Sequence, residues 1–219
     1  MSSEPIVFVV DDDESTRTSL ARLFRSVDLE VQTFSTPAAF LNHARPDRPA
    51  CLLLDLRMPG ASGLAVQEEL ARAGAELPIL FLTGHADVPT SVRAMKAGAI
   101  DFLEKTLDDQ ALLDAIQKAL GRARELWTAR AERTRTERLV ATLTPRERDV
   151  LRLIVTGLPN KQVADRLGAA EKTIKVHRAR VMAKMKADSL AHLVLMAHAV
   201  GIGAGFDPPQ SERPGDQAR

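Results

Sequence analysis

The sequence predicts a doubly wound parallel α/β domain followed by a small all-helical domain, and three observations carry that prediction. Four short apolar runs, at residues 6–10, 51–54, 78–82 and 99–103, alternate with stretches of helical periodicity. This is the pattern of buried parallel strands joined by crossover helices. Each run ends beside a polar residue: Asp11 and Asp12, then Asp55, Thr83 and Lys105. From Thr144 onward only short amphipathic helical patterns remain.

Parallel strands point their carboxyl ends the same way, and ligand chemistry in an open α/β sheet gathers at that edge. Five residues far apart in sequence therefore form one site. Three carboxylates held together raise one another's pKa unless a cation neutralises them. A hard divalent ion that prefers oxygen ligands, Mg2+ with Mn2+ as its substitute, is the expected remedy. Asp12 and Asp55 are the expected direct ligands, and Asp55, an open carboxylate beside the metal, is the candidate phosphoacceptor. Lys105 adds a compact positive charge and Thr83 a hydroxyl donor, completing a cradle for an acyl phosphate. Taken singly, a strand-end Asp is most often a helix cap or a solvated loop residue; the joint pattern is what singles these out.

The strings VFVVDDDES, LLLDLRMPGASG and LFLTGHADVPTSVRAMKAGAIDFLEK, in that order, resemble the receiver domain of bacterial two-component response regulators over residues 4–121, with wording nearest the FixJ-like branch. The resemblance implies a five-stranded, flavodoxin-like sheet. It also implies that Asp11, Asp12, Asp55 and the backbone carbonyl of Arg57 hold the metal, and that a sensor histidine kinase phosphorylates Asp55. Thr83 and Lys105 would contact the phosphate, while Thr83 and Phe102 act as the switch. One position departs from the family: Thr106 follows the active-site Lys where the family usually has Pro. A cis bond before a non-proline residue costs about 2.5–4 kcal/mol, against roughly 0.5–1 before Pro, so a trans bond and a different loop path are expected at residues 105–108. His85 reads either as a shield for the phosphoryl site or as an exposed loop histidine, Phe102 either as a switch or as core, and Cys51 as a small core residue.

A rival reading comes from haloacid-dehalogenase-like phosphatases, whose D-x-D-x-[TS] opening Asp11, Asp13 and Ser15 satisfy. There Asp11 would be the nucleophile, Asp13 the acid, and Asp108 and Asp109 the later acidic pair. It leaves DLRMPG around Asp55 without a purpose.

With 219 residues and one cysteine, the chain has room for a receiver-sized unit and a smaller domain and no intrachain disulfide framework. No signal region or membrane-length apolar run is present, so a bacterial cytoplasmic protein without membrane contact is expected. The overall charge of +1 conceals a polarised layout: −7 over residues 1–110 and +5 over 144–219. An acidic front half suits metal and phosphate chemistry, and a basic back half suits a polyanion.

Leu113, Ile116 and Leu120 recur at helical spacing, and the pattern turns charged near Gly121. The last helix of the first domain (1–121) therefore continues as a helical linker (122–142) to about Val140, with Leu126 and Trp127 as apolar exceptions. Thr144, Pro145 and Glu147 give the cap, the first-position proline and the third-position acid of a new helix. Two short helices with a tight turn follow, the second strongly basic: a helix-turn-helix layout. Ile174, His177, Val181 and Met185 form its inward stripe. Lys172, Lys175, Val176 and Ala179 lie opposite, flanked by Arg178, Arg180 and Lys184.

LTPRERDVLRLIVTGLPNKQVADRLGAAEKTIKVHRARVMAKM resembles the LuxR-type DNA-binding domain of the NarL and FixJ group, over a domain spanning 143–205. The resemblance makes residues 171–184 the recognition helix; their positions opposite or beside the inward stripe turn Lys175 and Val176 toward base edges and Arg178 and Lys184 toward phosphates. It makes the helix from Ser189 to Val200 a dimer contact. The tail 206–219 is expected to be disordered. The whole reads as a phosphorylation-controlled transcription regulator that binds double-stranded promoter DNA, with RNA polymerase as a further partner; phosphorylation either pairs two receivers into a homodimer or releases the basic domain from an acidic receiver that masks it. It is not a turnover enzyme, although its acyl phosphate can hydrolyse itself.

Overall fold

The computed structural model describes residues 4–84 and 87–203; the expectations for His85 and for the tail 206–219 fall outside those residues. The chain divides into two compact units, Met1–Ala129 and Arg130–Arg219. In order, the first contains β1 (Ile6–Val10), α1 (Glu14–Ser26), β2 (Glu30–Phe34), α2 (Pro37–Leu41), β3 (Ala50–Asp55), a small hairpin of β4 (Arg57–Met58) and β5 (Ala61–Ser62), α3 (Gly63–Arg72), β6 (Ile79–Thr83), α4 (Val88–Lys96), β7 (Asp101–Glu104) and the first part of the long helix α5 (Asp109–Ala141), whose last residues belong to the second.

Five of the strands form one parallel sheet in the order β2-β1-β3-β6-β7. The order reverses between β1 and β3, and a reversal of this kind opens a crevice at the carboxyl ends of the two strands. Alternation along the strands builds the two layers. Phe8, Val10, Leu52, Leu54 and Phe81 face one side, where Phe40, Val66, Leu70 and Ala94 cover them. Val7, Val9, Cys51, Leu53 and Leu80 face the other, under Phe24, Ile116 and Leu120. Burial on both faces is why these strands read as continuous apolar runs. β2 has no such run: it is one edge of the sheet, half exposed, and its sequence EVQTF is mostly polar.

The first turns of α5 bury Leu112, Ala115, Ile116, Leu120 and Ala123 in the first unit. Just beyond them the half-buried Trp127 donates its indole N–H to Asp47 Oδ1 at 3.2 Å. The far end of α5 lays Leu139 and Val140 against the core of the second unit.

That unit adds α6 (Pro145–Ile154), α7 (Asn160–Leu167), α8 (Glu171–Met185) and α9 (Leu190–Ala199). The cap of α6 is the expected capping box: Glu147 N–H donates to Thr144 Oγ1 at 3.3 Å, and Thr144 N–H to Glu147 Oε2 at 2.9 Å. Its core joins Val150, Leu151, Ile154, Val163, Ile174, Val181, Met185 and Leu193. Among the described residues no helix is long and apolar enough to cross a membrane.

Candidate metal centre and nucleic-acid interface

The crevice at the end of β1 and β3 holds the expected acidic cluster. One carboxylate oxygen from each of Asp11, Asp12 and Asp55 lies within 4.8 Å of the others. Asp11, 1 % exposed, is fixed by the backbone N–H of Asp13 at 2.9 Å, while Asp12 opens the cluster to solvent. Lys105 bridges the cluster, its Nζ 2.7 Å from Asp11 Oδ2 and 3.0 Å from Asp55 Oδ2. Burial, the largest influence on Asp11, pushes its pKa up against the opposing pull of Lys105. Burial works against the charge of Lys105 as well, but its bonds to Asp11 and Asp55 prevail and raise its pKa.

Three carboxylates facing one ammonium leave an excess of two negative charges, and every donor is oxygen. The residues therefore fit a hard divalent cation. Thr83, the buried last residue of β6, pairs with Glu104, and its carbonyl accepts the Lys105 N–H at 2.8 Å, which ties the Lys105 loop to the Thr83 strand. Phe102 is half buried, its ring 6.0 Å from that of Phe81. Arg57 donates its N–H to Asp55 Oδ1 at 3.3 Å, and its guanidinium lies 3.8 Å from Asp87, the cap of α4.

Around Lys105 no described peptide bond is cis. The Leu107 N–H closes a turn on Glu104 O at 3.0 Å, with Lys105 and Thr106 at its centre. Gly63 is a site residue that the sequence reading missed. A Cβ there would stand 2.5 Å from the Asp55 carbonyl oxygen, so only glycine lets α3 begin this close under the end of β3.

The phosphatase reading gains no support. Asp13 is the cap of α1, held by Ser15 and Thr16, and these hydrogen bonds lower its pKa to about 2, far from what a general acid needs. Asp108 likewise caps the start of α5, through the Ala111 N–H at 3.0 Å.

In the second unit, Ile174, Val181 and Met185 are buried as the stripe requires. His177 is half buried, its Nδ1 enclosed without a hydrogen-bond partner among the described residues. Lys172, Lys175, Val176, Ala179 and Arg180 are exposed, Val176 to 46 %, which is unusual for a large apolar side chain. Arg178 is braced by Asn160 Oδ1 at 3.2 Å. Lys184 is otherwise engaged: its Nζ lies 2.6 Å from the buried Glu147 Oε2 and 3.2 Å from Thr142 O. Its ammonium thereby pins the end of α8 to the start of α6.

Comparison with known proteins gives two family matches: a response regulator receiver domain over residues 7–117, and the luxR family of bacterial regulatory proteins over residues 141–197. The chain is 51 % identical to nodulation protein W of Bradyrhizobium diazoefficiens, covering 93 % of this chain and 89 % of that protein. It is 45 % identical to the transcriptional regulatory protein FixJ of Azorhizobium caulinodans, covering 92 % and 95 %. The solved structure of the response regulator StyR superposes with a TM-score of 0.76 at 50 % identity, covering 89 % of this chain and 98 % of that one.

Proposed function

Because the chain belongs to the response regulators that join a receiver domain to a LuxR-type DNA-binding domain, and so is a phosphorylation-controlled transcription regulator and not a metabolic enzyme, we propose how its own residues carry that out. The observation that carries the proposal is the Asp11, Asp12 and Asp55 cluster bridged by Lys105.

In this reading an Asp55 carboxylate oxygen attacks the phosphorus of a phosphohistidine on the kinase. An O–P bond forms, the N–P bond breaks, and the imidazole leaves. Asp11, Asp12, Asp55 and the Arg57 carbonyl would hold Mg2+, which would supply charge neutralisation for the transferring group. Lys105 moves from its carboxylate partners toward a phosphoryl oxygen and Thr83 donates its hydroxyl to another, drawing the β6 end inward with Phe102 following as the switch. Water later attacks the same phosphorus and releases phosphate. Residues 1–121 act as receiver, 122–142 as linker and 143–205 as the DNA-binding domain.

The partner of the activated receiver is a second copy of the chain. Val88, Val92 and Met95, exposed to 75, 45 and 45 %, line one face of α4 at helical spacing. In the second unit Lys175 and Val176 meet base edges, the Val176 methyls suiting a thymine methyl, while Lys172, Arg178 and Arg180 meet phosphates beside Ala179. Neither α7 nor α8 has a side-chain cap, which leaves their first N–H groups open to phosphate oxygens.

Asp55→Asn tests the reading: Mg2+-dependent labelling by acetyl phosphate is expected to vanish. Full labelling of the variant would overturn the assignment of Asp55.

A further inference from the structure

Among the described residues seven helices end in a residue of left-handed backbone, and five of these residues are Gly74, Gly98, Gly157, Gly168 and Gly201. A Cβ is disfavoured in that conformation, so glycine is the expected choice. The exceptions are Asp28 after α1, at φ +58, and Lys186 after α8, at φ +54. Asp is among the few other residues that visit this region readily, through its short polar side chain. Lysine has no such compensation.

The left-handed turn at Lys186 is enforced by the chain. Its N–H donates to Ala183 O at 3.2 Å, and the next N–H, of Ala187, reaches back to Met182 O at 3.1 Å. Nothing local explains a lysine there: its side chain is exposed and no ion pair or hydrogen bond engages it among the described residues. Lys184, the other cation at this end of α8, is tied to Glu147.

The outward side of α8 carries Lys172, Val176, Ala179 and Ala183, all exposed, with Lys186 closing its far end. The middle of that side is small, so a duplex can approach closely. At ~1.5 Å per residue the two end lysines stand roughly 21 Å apart along the axis, enough to span a major groove about 12 Å wide and reach both of its phosphate walls.

We propose that Lys186 is a DNA phosphate contact, the charge for which the end of the recognition helix retains a strained residue where glycine would fit better. This rests on the DNA reading above and extends it to a residue outside the helix. The test uses the full chain and a mixed-sequence duplex titrated at several salt concentrations, together with thermal unfolding.

Lys186→Gly removes strain and charge together. The expected result is a melting temperature a few degrees higher and a salt slope of log affinity shallower by about 0.9. Lys186→Gln should lose the same slope without the gain in stability, and Lys186→Arg should keep the wild-type slope. A Lys186→Gly chain with the wild-type slope overturns the inference alone. A wild-type chain that binds no duplex overturns the DNA reading and the inference with it.

Discussion

Lys105 sits between two carboxylates with its ammonium within 3.0 Å of both, so it competes with any cation that enters the cluster. Lys105→Ala should therefore bind Mg2+ more tightly, by about tenfold, a modest share of the repulsion a nearby cation exerts at protein-like dielectric. Calorimetric titration checks this, and weaker Mg2+ binding in the variant would refute it. Gly63→Ala places a methyl against the Asp55 carbonyl oxygen. Its expected cost is about 1–3 kcal/mol, visible in denaturant unfolding, with slower acetyl phosphate labelling of Asp55 as the loop shifts. The five site residues were legible because each ends an apolar run on the same edge of a parallel sheet. Gly63 was not, since its requirement comes from a tertiary approach of helix to strand. Nor was the second partner of Glu147: Glu147 reads as a capping acid from its neighbours, and its ion pair with Lys184 spans 37 residues.

The same ion pair gives the second unit an acid-sensitive joint between elements. The Lys184 hydrogen bond, joined by the Thr144 N–H, lowers the Glu147 pKa from 4.5 to about 2. A depressed carboxylate stabilises the fold fully above its unfolded pKa, so this contribution is present above pH 4.5 and drains away as pH falls toward 2. Glu147→Gln should cost about 2 kcal/mol near neutrality and flatten the acid limb of the stability profile, as read by urea unfolding from neutral pH downward. Equal stability of variant and wild type at pH 7 would deny the joint. At the Lys105 loop, Thr106 occupies the third position of a turn closed by Leu107 on Glu104. Proline is disfavoured there because it restricts the residue before it. Thr106→Pro should re-route the loop and shift the activation balance while Asp55 still labels; an unchanged response to an acyl-phosphate donor would refute this. Among elements, α5 was legible almost to its end, Val140 against Ala141, because its core stripe and charged continuation share one helical period. β2 was invisible as an apolar run because an edge strand need not be buried on both faces.

Across the whole chain, the proposed function asks an acidic half to take a phosphoryl group and a basic half to meet a polyanion, so one covalent event must reach both. The proposed dimer is a measurable carrier of it. Beryllofluoride with Mg2+ should double the solution mass of the wild type, and Val92→Glu, which puts a charge into the exposed α4 stripe, should hold the chain monomeric while leaving Asp55 labelling intact. A Val92→Glu chain that dimerises like wild type would remove α4 from the contact. The hydrogen bond from Trp127 to Asp47 has a consequence of another kind. The chain has one tryptophan and no tyrosine, so nearly all of its near-ultraviolet emission comes from a single indole, seated where the receiver helix leaves its own core. Intrinsic fluorescence is thus a site-specific optical probe built into the unlabelled protein. A spectral shift on adding acetyl phosphate would time the arrival of the signal at the root of the linker, and its absence in Asp55→Asn would tie that shift to phosphorylation.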